Sequence, residues 1–239
     1  MADPVPLSFD RHGKLRLSEI SDFTQFSTQH IVPVVFQEFY ELATEFPLVF
    51  VRNSESGDFA PVAMMGLTQG RNLYCQTSNW SLSFIPTSFT FTPLSLRRST
   101  SGADQAVACL DEESPLLSES VGEPLFNTAG NYTDYLQKRI DRLVLVTRQT
   151  LQTNALCHLL AEKKLLKTRP LSLQSSANTT RYEVEGVYTI DEEALEALDD
   201  TEFVTLRQRG MLPLIYSHLT SLQQFGRLLR LQTHADQVE

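Results

Sequence analysis

Residues 132–167 read YTDYLQKRIDRLVLVTRQTLQTNALCHLLAEKKLLK, a run with neither proline nor glycine. Leu136, Ile140, Leu143, Val144, Thr147, Leu151 and Leu159 recur at the spacing of one helix face. The stretch predicts one long amphipathic helix, with Asn154 as the place for a break and Pro170 closing the segment. Upstream, apolar runs are short and cut by turns. Residues 47–52 read as a strand, 54–58 as a turn and 59–67 as its hairpin partner; 68–71 is the next turn and 72–76 a short strand. Residues 92–98 and 105–110 read as a second hairpin closed by 99–104. Val34, Val35, Phe36, Phe39, Tyr40 and Leu42 suit the lining of a short helix that ends before Phe46, which Pro47 biases away from helical backbone.

Downstream of the helix, Tyr182, Val184, Tyr188 and Ile190 fall on one face of an alternating stretch, a half-buried strand expected to rejoin the earlier sheet. Asp191 opens a short helix. Asp199 with Glu202 has capping-box spacing for the next, which Gly210 ends. Pro213 suits the first turn of a final helix, whose stripe is Ile215, Leu219, Leu222, Phe225 and Leu229. The expected fold is α+β: an N-terminal antiparallel β meander with a long central helix and C-terminal helices packed on the sheet. Residues 1–27 are expected to form a partly ordered N-terminal segment, 28–232 a single domain and 233–239 a frayed tail.

Of the 239 residues, 41% are hydrophobic and 21% charged, which excludes collagen-like, disordered and disulfide-framework classes. A net charge of −9 argues against nucleic acid as the main partner and against an anionic membrane surface. No run approaches the ~20 apolar residues of a membrane span. The opening Met-Ala-Asp-Pro-Val-Pro lacks the basic and apolar regions of a secretory signal, so a cytoplasmic location is expected. The charge falls in blocks. Residues 111–135 hold six acids and no base, 136–180 eight bases and two acids, and 181–206 nine acids and one base. Signs that alternate in this way suit pairing within the fold.

Signals for chemistry are sparse. Cys75, Cys109 and Cys157 are odd in number and far apart, as buried reduced thiols would be. No phosphate-binding loop, dinucleotide fingerprint or nucleophile elbow occurs, and no two histidines have zinc-ligand spacing. Asp111-Glu112-Glu113, at a strand end, is the best acid/base or calcium candidate, although a solvated strand end accounts for it. Tyr216 and His218 lie beside the stripe of the last helix. Trp80, with Phe84, Phe89 and Phe91, could present a partner-binding patch, with core packing the commoner outcome. Asp111, Glu112, Tyr216, His218 and Trp80 are therefore the candidate binding residues, with no catalytic residue, metal site or cofactor assigned. The favoured reading is a non-catalytic accessory or binding protein whose partner is another protein or a peptide. The rival is an enzyme or cofactor-binding auxiliary with a site assembled from Asp111, Glu112, Tyr216 and His218.

Several strings stand in a familiar order: Ile31-Val32-Pro33-Val34, Glu45-Phe46-Pro47-Leu48-Val49-Phe50-Val51, Pro61-Val62-Ala63 and Asp111-Glu112-Glu113-Ser114-Pro115-Leu116-Leu117. Gly122-Glu123-Pro124-Leu125-Phe126, Glu185-Gly186-Val187-Tyr188-Thr189-Ile190-Asp191 and the run from Arg209 to Leu219 complete them. Together they resemble the SapC family of bacterial proteins, over about residues 28–232. That family is named from a surface-layer locus and has no established activity. The resemblance thus implies a role linked to surface-layer or envelope systems, and the missing export signal favours work inside the cell.

Overall fold

Apolar runs broken every few residues by turns make the short strands of this chain, and longer periodic runs make its helices. The structure, a computed structural model, describes residues 3–98, 106–174 and 180–238. Its first elements are β1 (Val5–Pro6), α1 (Phe9–His12), β2 (Arg16–Leu17), β3 (Ile31–Pro33), α2 (Phe39–Leu42), β4 (Leu48–Arg52), β5 (Phe59–Met64) and α3 (Thr87–Thr90). There follow β6 (Leu94–Arg98), β7 (Ala106–Leu110), β8 (Leu117–Ser118), β9 (Glu123–Pro124) and the long α4 (Asp134–Glu162). The chain then runs through β10 (Leu166–Thr168), β11 (Leu171–Gln174), β12 (Arg181–Val184) and β13 (Val187–Ile190). It closes with α5 (Glu192–Glu196), α6 (Asp200–Gln208), α7 (Met211–Ser221) and α8 (Phe225–Val238). Mixed α+β architecture, antiparallel N-terminal sheets, a long central helix and C-terminal helices are all present.

The chain divides into two compact units. One comprises Met1–Ser21 and Thr87–Arg148, the other Asp22–Pro86 and Gln149–Glu239. The first holds two antiparallel three-stranded sheets, ordered β1-β7-β6 and β8-β2-β9. Leu7, Leu17, Leu94, Leu110, Leu125, Phe126 and Leu136 form its core. The β6–β7 hairpin matches its expected position; its turn, 99–104, lies outside the described residues, as does Gln105.

The second unit is built on an antiparallel sheet ordered β10-β13-β4-β5-β3, beside a β11-β12 hairpin. Leu48, Val49 and Phe50 of β4 are all buried, the unbroken burial of a strand covered on both faces. β13 pairs with β4 through Val187–Val51 and Tyr188–Phe50, so the strand that follows the long helix does rejoin the earlier sheet. From one face α7 packs on it: the Ser221 hydroxyl accepts from the Leu48 amide at 2.9 Å, and His218 accepts from the Ile190 amide at 3.1 Å.

Four local expectations need correction. Residues 181–190 form two strands, because Gly186 takes φ +73° and turns the chain between them. Residues 72–76 are not a strand, since the Asn72 side chain accepts the Tyr74 amide and holds a turn. The helix from Asp134 is unbroken at Asn154 but stops at Glu162, so Leu166 and Lys167 belong to a strand. There Lys164 adopts φ +56°, with Leu165 N–H reaching Leu160 O and Lys164 N–H reaching Ala161 O, the paired bonds of a Schellman end. Its second half also turns Thr153, Cys157 and Leu160 inward, leaving Leu151 66% exposed. Finally, the last helix is two helices joined by a 3-10 turn at Leu222–Gln224. Ser221 Oγ donates to the His218 carbonyl at 2.6 Å, a local bond that bends helices at such positions.

The charge blocks pair in part as their signs suggest. Lys163 meets Glu202 at 3.0 Å and Lys167 meets Asp191 at 2.7 Å. Glu112, from the other acidic block, turns instead to Arg11 and His12.

Candidate functional site

Helix period 3.6 gives α7 two stripes with different fates. Met211, Ile215 and His218 face inward and are at most 2% exposed. Leu212, Tyr216 and Thr220, on the neighbouring stripe, border an open groove of about 740 Å³ together with Tyr40, Ala43, Thr44, Pro213, Ser217 and Gln224. Its far wall is α2, anchored by Phe39 and Leu42, each 1% exposed, while Tyr40 between them is left 74% exposed. Tyr216 is 52% exposed. The volume lies within the range of small-molecule sites.

The groove carries no charged residue. Among the described residues, the side chains of Tyr40, Tyr216, Ser217, Thr220 and Gln224 form no intramolecular hydrogen bond; Thr44 alone in the lining donates inward, to the Glu41 carbonyl at 2.7 Å. Tyr216 therefore lies where a ligand can reach it. Tyr40 joined no sequence motif; its only trace was a polar-tipped aromatic in an otherwise apolar helical run.

His218 has the opposite environment. It is fully buried, its ring lies 5.1 Å from Phe50, and Nε2 accepts from the Ile190 amide. Burial drives its pKa down to about 3, opposed by the Leu48 backbone and reinforced by the Arg169 charge. The imidazole is thus a neutral strut between α7 and β13.

Asp111 and Glu112 lie in the first unit. The Asp111 carboxylate accepts the Glu113 amide at 3.2 Å and closes the turn after β7. Both oxygens of Glu112 are engaged, one by Arg11 at 2.7 Å and one by Nε2 of His12 at 2.9 Å. His12 is wholly buried, with Nδ1 3.1 Å from the Ser8 amide and carbonyl. The sequence reading missed this histidine, which lies a hundred residues from its partner. With both ring nitrogens and both carboxylate oxygens engaged, the cluster ties α1 to the end of β7.

Trp80 packs against Phe23 at 5.2 Å and Phe46 at 6.2 Å between ring centroids. Phe89, in the other unit, is 1% exposed. Neither unit assembles Asp111, Glu112, Tyr216 and His218 together. All three cysteines are free and buried, and burial pushes the thiols of Cys75 and Cys157 up to about 12. No cluster of potential metal ligands occurs among the described residues, and none of their helices is long and apolar enough to cross a membrane. A smaller cavity of about 350 Å³ at the β4–β5 turn includes Arg52, whose guanidinium is already committed to the Gly57 carbonyl and the Phe59 ring.

Comparison with the curated proteins and with the solved structures returns no match. The SapC family model matches residues 7–228, which reaches from β1's flank to within α8 and covers both units; the chain belongs to the SapC family.

Proposed function

We propose that this SapC-family chain is a non-catalytic binding or accessory protein and that the α2–α7 groove takes its ligand. The observation that carries this reading is the contrast along α7: Tyr216 is open beside an uncharged concavity, while His218, two residues on, is sealed in the core. Of the groups the sequence raised for proton transfer, His218 is sealed in the core and Glu112 is paired with Arg11 and His12. An accessory role in an envelope system fits the origin of the family's name.

A thermal-shift screen of neutral, anionic and cationic small molecules and short peptides tests the proposal, run on the wild type and on the Tyr40→Ala/Tyr216→Ala double variant. A ligand at a hundred times its dissociation constant adds about 2.7 kcal/mol of stability. The expected result is stabilisation of the wild type alone, with the compound recovered chemically unchanged. Equal stabilisation of both proteins, stabilisation of neither, or conversion of the compound would contradict the proposal.

A further inference from the structure

A ligand site advertises its ligand through the chemistry it leaves unsatisfied. A fifth of this chain is charged and its net charge is −9, yet none of the nine residues lining the α2–α7 groove is charged. Phosphate, carboxylate and ammonium groups would find no counter-charge there, and electrostatic complementarity selects a neutral ligand. What the groove does offer is of two kinds. Tyr40 and Tyr216 supply aromatic surfaces open to solvent, 74% and 52% exposed. Among the described residues, the hydroxyls of Tyr40, Tyr216, Ser217 and Thr220 and the amide of Gln224 meet no intramolecular hydrogen-bond partner. Each of these groups can both donate and accept.

A pyranose ring has matching halves: faces of C–H bonds that lie against an aromatic ring, and a rim of hydroxyls that both donate and accept. A peptide backbone can pair with the same groups, but it does not join a C–H face and a rim of hydroxyls in one ring, as a pyranose does. A purely apolar ligand would leave five polar groups without partners, each desolvated at a cost. Resting on the reading of the groove as the ligand site, we infer that its ligand is a neutral carbohydrate, with at least one sugar face laid on Tyr216 and its hydroxyls met by Ser217, Thr220 and Gln224.

The test is saturation-transfer NMR and calorimetry on the whole chain. The probes are neutral oligosaccharides of glucose, galactose, mannose and N-acetylglucosamine, their uronic-acid counterparts, and a proline-rich peptide. The inference predicts that at least one neutral sugar binds with a dissociation constant of about 1 mM or tighter. Saturation should concentrate on ring C–H protons, and the matching uronic acid should bind at least tenfold more weakly. Tyr216→Ala should abolish binding, whereas Tyr216→Phe, which keeps the ring, should retain most of it. Circular dichroism of the two variants confirms that they fold. Binding of the peptide or of a non-sugar compound at the groove, without sugar binding, overturns the carbohydrate assignment and leaves the groove as the ligand site. If no probe of any class binds, both fail.

Discussion

Two neighbours on α7 show how one residue step separates packing from recognition. Ile215 is 2% exposed and Tyr216 52%. Ile215→Ala should cost about 2–5 kcal/mol in urea unfolding, as other large-to-small core changes do. Tyr216→Ala should stay within about 0.5 kcal/mol of wild type, the range of surface substitutions, while losing ligand stabilisation. His218 makes a prediction in pH. Its folded pKa is about 3, below the ~6.5 of an unfolded chain, so the unfolded state binds the extra proton first. Its contribution is complete above ~6.5 and is lost as the pH falls from there towards 3. His218→Gln lacks this titration, so the gap in urea midpoint between wild type and variant should narrow between pH 7 and pH 4. A gap that stays constant would show that the imidazole is not held neutral.

The elements were legible wherever the local signal was dense, and misread where one residue's backbone set the outcome. The helix from Asp134 and the β4–β5 and β6–β7 hairpins follow from periodicity and turn residues. The end of α4 does not, because a lysine in the left-handed region is rare and leaves no pattern. Lys164→Gly should remove that strain and raise stability by up to about 1 kcal/mol, less the unfolded-state entropy glycine adds, as read from thermal unfolding. Likewise Gly186 divided a strand that alternation alone made continuous. Tertiary pairings are harder still. Glu112 read as a solvated strand end, yet it staples α1 through His12 and Arg11. Glu112→Ala leaves the buried imidazole without its carboxylate, and a loss of about 1–3 kcal/mol is expected by urea unfolding.

Across the whole molecule, the antiparallel sheets and the helical ending could be read from pattern, and so could the return of β13 to the sheet beside β4. The division into two compact units could not, because it cuts across the sequence at Ser21, Pro86 and Arg148 rather than at any linker rich in glycine or proline. The groove was half legible. Tyr216 stood out beside its apolar stripe, but its opposite wall is set by α2, some 170 residues earlier in the chain, and only the fold reveals that neighbour. The same holds for the site's neutrality: a charge count over the whole chain gives −9, while the groove itself carries none.

The central claim, that the groove between α2 and α7 receives the ligand, is tested most directly by chemical-shift mapping of the isotope-labelled chain against the mixed small-molecule panel. The account predicts that resonances of Tyr40, Tyr216, Thr220 and Gln224 move together with a single saturation curve, and that the Tyr40→Ala/Tyr216→Ala variant shows no such movement. Shifts that gather instead around His12 and Glu112, or no shifts at all, would contradict it.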